Sequence, residues 1–154
     1  MATYFLDTSA LVKLYVAENG SGWLRSIADP RGNHTLVIAA ITGAETIAGI
    51  ARRLRAGSLS IGDASAAMAK FRRDYVKEYS RIQLTRLLLH SAMNLAEKHG
   101  LRGYDAVQLA AAITLNNRTI ALGLQPITLL SSDTELNTAA AAEGIVVDDP
   151  NLHP

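Results

Sequence analysis

Short apolar runs alternate along this chain with longer stretches whose apolar residues recur at helical spacing. Residues 3–6 (TYFL) read as a strand, and residues 9–16 carry Leu11, Val12, Tyr15 and Val16 on one helical face. Residues 18–27 predict a second short helix, closed by the turn sequence DPRGN. Residues 35–40 (TLVIAA) are an unbroken apolar run of strand length, the pattern of a strand covered on both faces. A helix over 42–55 follows, opening on a capping box of Thr42 and Glu45, with Gly57 as its stop. Ser60 and Asp63 open a long amphipathic helix over 60–79. Residues 85–99 place Leu88, Ala92, Leu95 and Ala96 on one face before Gly100 ends the helix. The strongly apolar run 104–115 (YDAVQLAAAITL) predicts a central helix. A strand over 127–130, a helix over 134–143 stopped by Gly144, and a strand over 145–147 complete the pattern, with no internal repeat and no linker.

Strands that alternate with helices pair in parallel through right-handed crossovers. The expected fold is therefore a three-layer α/β/α sandwich with a short, mainly parallel central sheet, in a single domain spanning 1–154. Ligands of such folds bind outside the carboxyl ends of the strands. Asp7 follows the first strand directly, Glu45 lies in the opening turn after the second, and Asp133 stands just beyond the third. All three acids thus fall on one edge of the sheet, and Asp105 opens the apolar helix nearby in the pattern.

Each acid has two readings. Asp7 and Asp133 are suited to cap helices, Glu45 to complete its capping box, and Asp105 to complement a helix dipole. Gathered at one edge, however, the carboxylates repel, at up to roughly 4 kcal/mol per close pair for an effective dielectric near 20. A domain of about 5–15 kcal/mol net stability rarely tolerates that without a counter-ion. No lysine or arginine stands close enough to these acids in sequence to be the obvious partner, with Arg102, near Asp105, left open. Hard oxygen donors favour Mg²⁺ or Mn²⁺, which turns bound water into a nucleophile and stabilises a phosphoryl oxyanion.

Composition narrows the classes. The chain has 154 residues, 49% of them hydrophobic, and no cysteine, which removes disulfides and thiolate metal sites. No run reaches the length of a membrane span and the start lacks a signal peptide's pattern, so a soluble, cytoplasmic protein is expected. His34, His90, His99 and His153 lack metal-ligand spacing, which excludes a zinc site. The net charge of +1 conceals an asymmetry: residues 52–86 hold nine Lys or Arg against three acids, +6, leaving −5 elsewhere. That window is either a solvated helix face or an attraction for an anionic partner.

With these stretches in view, the chain resembles the PIN-domain nucleases, and within them the stand-alone VapC-like toxins of toxin–antitoxin pairs. The resemblance is carried by FLDTSALVKLY around Asp7, AAITGAE ending on Glu45, GLRGYDAVQLAAA around Asp105 and LLSSDTEL around Asp133. They occur in order across almost the whole chain, each at an element boundary. The resemblance implies a metal-dependent endoribonuclease, with Asp7, Glu45, Asp105 and Asp133 at the family's acidic positions as catalytic and metal-binding residues and Mg²⁺, or Mn²⁺ in its place, as cofactor. It also implies that Ser9 supports the site by hydrogen bonding, with Thr8 serving either the site or the turn. A homodimer and a small antitoxin partner follow from the same resemblance. An RNA substrate gives the basic window a use: Arg72, Arg73 and Lys77 would draw RNA toward an acidic cleft. Tyr75 and Tyr79, interleaved with them, are either stacking platforms or core packing.

Three other readings stay open at this stage. A haloacid-dehalogenase-like phosphatase also opens on a strand ending in aspartate, but it places a second aspartate where this chain has Ser9. A non-catalytic PIN-like module would bind RNA or a protein without cutting. DNA cleavage would use the same acids. Trp23 is expected in the core or on a dimer surface, and Asp148 and Asp149 in a solvated terminal turn.

Overall fold

The computed structural model describes residues 1–154. Its five strands, β1 (Thr3–Leu6), β2 (Thr35–Ala39), β3 (Ser80–Ile82), β4 (Thr128–Leu130) and β5 (Val146–Asp148), form one sheet. Their order is β3-β2-β1-β4-β5, with every pair parallel. The chain builds outward from β1 to β2 and β3, then returns to lay β4 and β5 on the other side. That reversal makes the carboxyl end of β1 the switch point of the sheet, where a crevice opens between neighbouring connections.

Side chains alternate across the central strands, as the pleat requires. Phe5, Val37, Ala39 and Leu129 enter a core of 19 buried residues shared with α5 (Arg86–His99), α6 (Gly103–Ala121) and α7 (Thr134–Ala142). Leu6, Ile38 and Leu130 point the opposite way, toward α1 (Thr8–Val12), α2 (Ser21–Ile27) and α4 (Ile61–Lys77). A smaller cluster joins Val12 and Ile50 to Ala64 and Ala67, seating α3 (Thr42–Arg55) against α1 and α4. Both sheet faces are therefore covered, in the three-layer arrangement expected. No helix is long and apolar enough to cross a membrane.

Four local differences from the sequence reading have physical causes. Strand β3 was not expected: SRI is short and polar, and it is a strand because Val37 to Ala39 pair with it. Helix α6 runs on to Ala121, since Asn116 and Thr119, polar enough to suggest an end, are buried with local partners. The Asn116 Oδ1 accepts from the Ile127 N–H at 3.1 Å and the Thr119 hydroxyl donates to the Asn116 carbonyl at 2.8 Å. Helix α2 begins only at Ser21, because Gly20 takes φ +84° and a side chain there would strike the Pro150 carbonyl. Glu18 is left outside the helix as an ion-pair partner of Lys13 and Arg53. Finally, Asp148 ends β5 and meets His153 at 2.8 Å, while Asp149 caps the 3-10 turn Pro150–Leu152. Trp23 stacks on His153, centroids 3.9 Å apart, so the chain end packs over α2.

Candidate functional site

Asp7 sits where β1 gives way to α1, with extended backbone angles and only 4% of its surface exposed. Its Oδ1 accepts from the Ala10 N–H at 3.0 Å, capping α1, and from the Ser9 hydroxyl at 2.7 Å. Its Oδ2 accepts from the Ser131 hydroxyl at 3.0 Å. The same serines tie in the β4–α7 connection: Ser9 Oγ accepts from the Ser132 N–H at 2.8 Å, and Ser131 Oγ from the Asp133 N–H at 3.1 Å. Asp133 in turn caps α7 through the Leu136 N–H at 3.0 Å. Two acids are thus both helix caps and members of one site.

Glu45 differs from the expectation. The Thr42–Glu45 capping box does not form: α3 starts from Ile41 without a side-chain cap. The Thr42 hydroxyl and the Glu45 carboxylate both turn to Gln108 of α6, whose Nε2 donates to them at 2.8 and 3.0 Å. Gln108 also reaches the Thr8 hydroxyl at 3.4 Å and is 2% exposed. It lies one turn beyond Asp105 on the same helix face. One buried amide therefore joins α1, α3 and α6 and fixes Glu45 toward the crevice. Sequence reasoning passed over it as core, and only its spacing from Asp105 signals its role.

The four acids line a single cleft of about 350 Å³ with Thr8, Ser9 and Gln108. Their charges act on each other. Burial pushes the Asp7 carboxyl up to about 6, three hydrogen bonds draw it back, and Asp133 pushes it further up. Burial is also the main cause raising Glu45, eased by Gln108 and reinforced by Asp105. Asp105 is raised by burial and by Asp133, with Arg102 opposing. A counter-ion is present after all: Arg102 Nε stands 3.3 Å from Asp105 and its Nη2 3.7 Å from Asp133. Its side chain is 78% exposed, so water screens the pair and the relief is partial.

In this arrangement no three acidic or histidine side chains converge as a ready metal set. Asp7 is engaged by its serines, and Arg102 by Asp105 and Asp133. The donor chemistry nevertheless fits a hard divalent cation: four carboxylates, with no nitrogen or sulfur donor among them. Two buried polar atoms of cleft-lining residues, Gln108 Oε1 and Ser132 Oγ, also have no partner in the protein.

The basic residues divide. Arg72, Arg73 and Lys77 are exposed on α4 and do not line the cleft. The cations that do are Lys13, Arg52 and Arg53, of which Lys13 lies outside the basic window of the sequence. Tyr75 and Tyr79 are packing residues: the Tyr75 hydroxyl donates to the Ala40 carbonyl at 2.9 Å, and the buried Tyr79 hydroxyl meets that of Tyr15 at 2.6 Å.

Known proteins resemble this chain in sequence and in fold. The chain is 29% identical to Ribonuclease VapC45 and to Ribonuclease VapC49 of Mycobacterium tuberculosis, over the full length of this chain and of each relative. A toxin–antitoxin complex from Klebsiella pneumoniae has the same fold, with a TM-score of 0.63 over 97% of this chain and 98% of that one, at 18% identity. The sequence model of the PIN domain matches residues 4–141, a span containing the four acids, β2 to β4 and all but the first residue of β1. This chain belongs to the PIN domain family.

Proposed function

We propose that this chain is a metal-dependent endoribonuclease, the toxin of a toxin–antitoxin pair, which cuts RNA phosphodiester bonds with Mg²⁺, or Mn²⁺ in its place. The observation that carries the reading is that Asp7, Glu45, Asp105 and Asp133 line one cleft at the switch point of the sheet. The relatives named ribonuclease, aligned from end to end, support it.

A divalent cation held by the four carboxylates would activate water and neutralise charge developing on the phosphoryl oxygens. The protein's own groups prepare that chemistry. Ser9 and Ser131 orient the Asp7 carboxylate from either side. Gln108 donates to Glu45 Oε1 and holds that carboxylate toward the crevice, where it would serve as a ligand or as a general base. Arg102, on its exposed stem, partly neutralises Asp105 and Asp133, a role the cation would take over. Thr8 approaches Gln108 and supports the same hub. Arg72, Arg73 and Lys77 attract RNA at long range from outside the cleft.

The reading includes cytoplasmic action on RNA, a small antitoxin that blocks the cleft, and a second copy of the chain. Leu84, Leu89, Met93 and Tyr104, exposed along a groove between α5 and α6, give a homodimer an apolar surface. The alternative is a non-catalytic module that binds RNA or protein, favoured only by the lack of a ready ligand set. Incubation of the purified chain with structured RNA separates the two. We expect cleavage with Mg²⁺ or Mn²⁺ and none in excess chelator, with DNA and a small phosphomonoester as controls. Binding without cutting in either metal would assign the chain to the alternative.

A further inference from the structure

The cleft has two chemical ends. Asp7, Glu45, Asp105 and Asp133 stand at the starts of α1, α3, α6 and α7, whereas Lys13, Arg52 and Arg53 line it at the far ends of α1 and α3. At 1.5 Å per residue, Arg52 lies about 10 Å along α3 from Glu45. Gly49 forms the floor between them. A Cβ on Gly49 would lie 3.6 Å from Arg53 Nη1 and 3.7 Å from Val12 Cγ2, so glycine keeps this stretch open without being required by the fold.

The three cations are held differently. Lys13, 6% exposed, has its ammonium 3.3 Å from Glu18 Oε2 and 3.0 Å from Asn151 Oδ1. Arg53 pairs with the other Glu18 oxygen and donates to the Gly49 carbonyl at 3.3 Å. Glu18 thus clamps both side chains in place. The Arg52 side chain is exposed and has neither ion pair nor hydrogen bond, although its charge reaches Glu45. Three cations against one acid leave this end at +2, where little water screens the buried ammonium.

We infer that this cationic end is the seat of an RNA phosphate flanking the cut bond, with Arg52 as its direct contact and the Glu18-clamped Lys13 and Arg53 as fixed positive charge. The inference rests on the nuclease reading above. An acidic centre by itself repels a nucleic-acid backbone, and the cations that lie in the cleft, rather than those on α4, are placed to hold the strand in register.

The test uses the full chain carrying Asp7→Asn, so that a single-stranded RNA oligonucleotide is bound and not cut. Affinity is followed by fluorescence anisotropy across a series of salt concentrations. Adding Arg52→Gln should weaken binding several-fold and reduce the slope of log affinity against log salt by about 0.7, the value for one single-strand phosphate contact. Arg52→Lys should retain most of the slope, and the unfolding midpoint should not move, because Lys keeps the charge that reaches Glu45 and the Arg52 side chain makes no ion pair or hydrogen bond. Arg52→Gln with the parent's affinity and slope would overturn the seat alone. A parent that binds no RNA at any salt would overturn the seat together with the nuclease reading.

Discussion

At Asp7 the helix cap and the candidate metal ligand are one carboxylate, so an Asn that keeps the cap also removes the buried charge. What separates the two roles is titration. Burial raises the Asp7 carboxyl from the ordinary 3.8 to about 6. Between those values the folded chain holds a proton that the unfolded chain has released, so stability falls as pH rises from 3.8 to 6 and stays lowered above it. At about 1.4 kcal/mol per unit the cost approaches roughly 3 kcal/mol at neutral pH without metal. Asp7→Asn removes that cost but weakens one hydrogen bond from Ser9 or Ser131, worth about 1 kcal/mol. The metal-free variant should therefore be more stable than the parent at pH 7 by about 2 kcal/mol. Urea unfolding in chelator from pH 4 to 7 checks this: the parent should lose stability across the range while the variant stays flatter. Equal slopes would mean that Asp7 is not held in this environment.

Among the elements, α3 carries two glycines with opposite consequences. A Cβ on Gly43 would come 2.8 Å from the Tyr75 ring, which is held by its hydrogen bond to Ala40, by Phe71 and by the Arg81 guanidinium. Gly43→Ala should cost about 1–3 kcal/mol by overpacking. Gly49→Ala meets only ordinary contacts and should gain up to about 1 kcal/mol from helix propensity. Thermal unfolding of the two variants should move in opposite directions, and a loss at Gly49 matching that at Gly43 would contradict this packing. The elements also mark what a single sequence discloses. Asp7, Asp105 and Asp133 were legible because each opens a helix after a recognisable boundary. Glu45 was placed on the strand-end edge by its position in the first turn of α3, but its expected capping box does not form, since Gln108, 63 residues away, claims both halves of it. Arg102 pairs with Asp133 across the fold, a contact that no local spacing reveals. Strand β3 exists through pairing with β2, which again is long-range information.

At the level of the whole molecule, the reversal of strand order at β1 brings the starts of α1, α3, α6 and α7 together and concentrates four carboxylates in one cleft. Under the proposed reading such a cluster would lower the stability of the metal-free fold, and a divalent cation held by it would stabilise the folded state by mass action. This claim is tested most directly by unfolding midpoints of the parent and Asp7→Asn at pH 7, in chelator and then with increasing Mn²⁺. The parent should start lower and rise with Mn²⁺, whereas Asp7→Asn should start higher and rise much less. Midpoints that climb equally with Mn²⁺ in both proteins would contradict a metal held by Asp7.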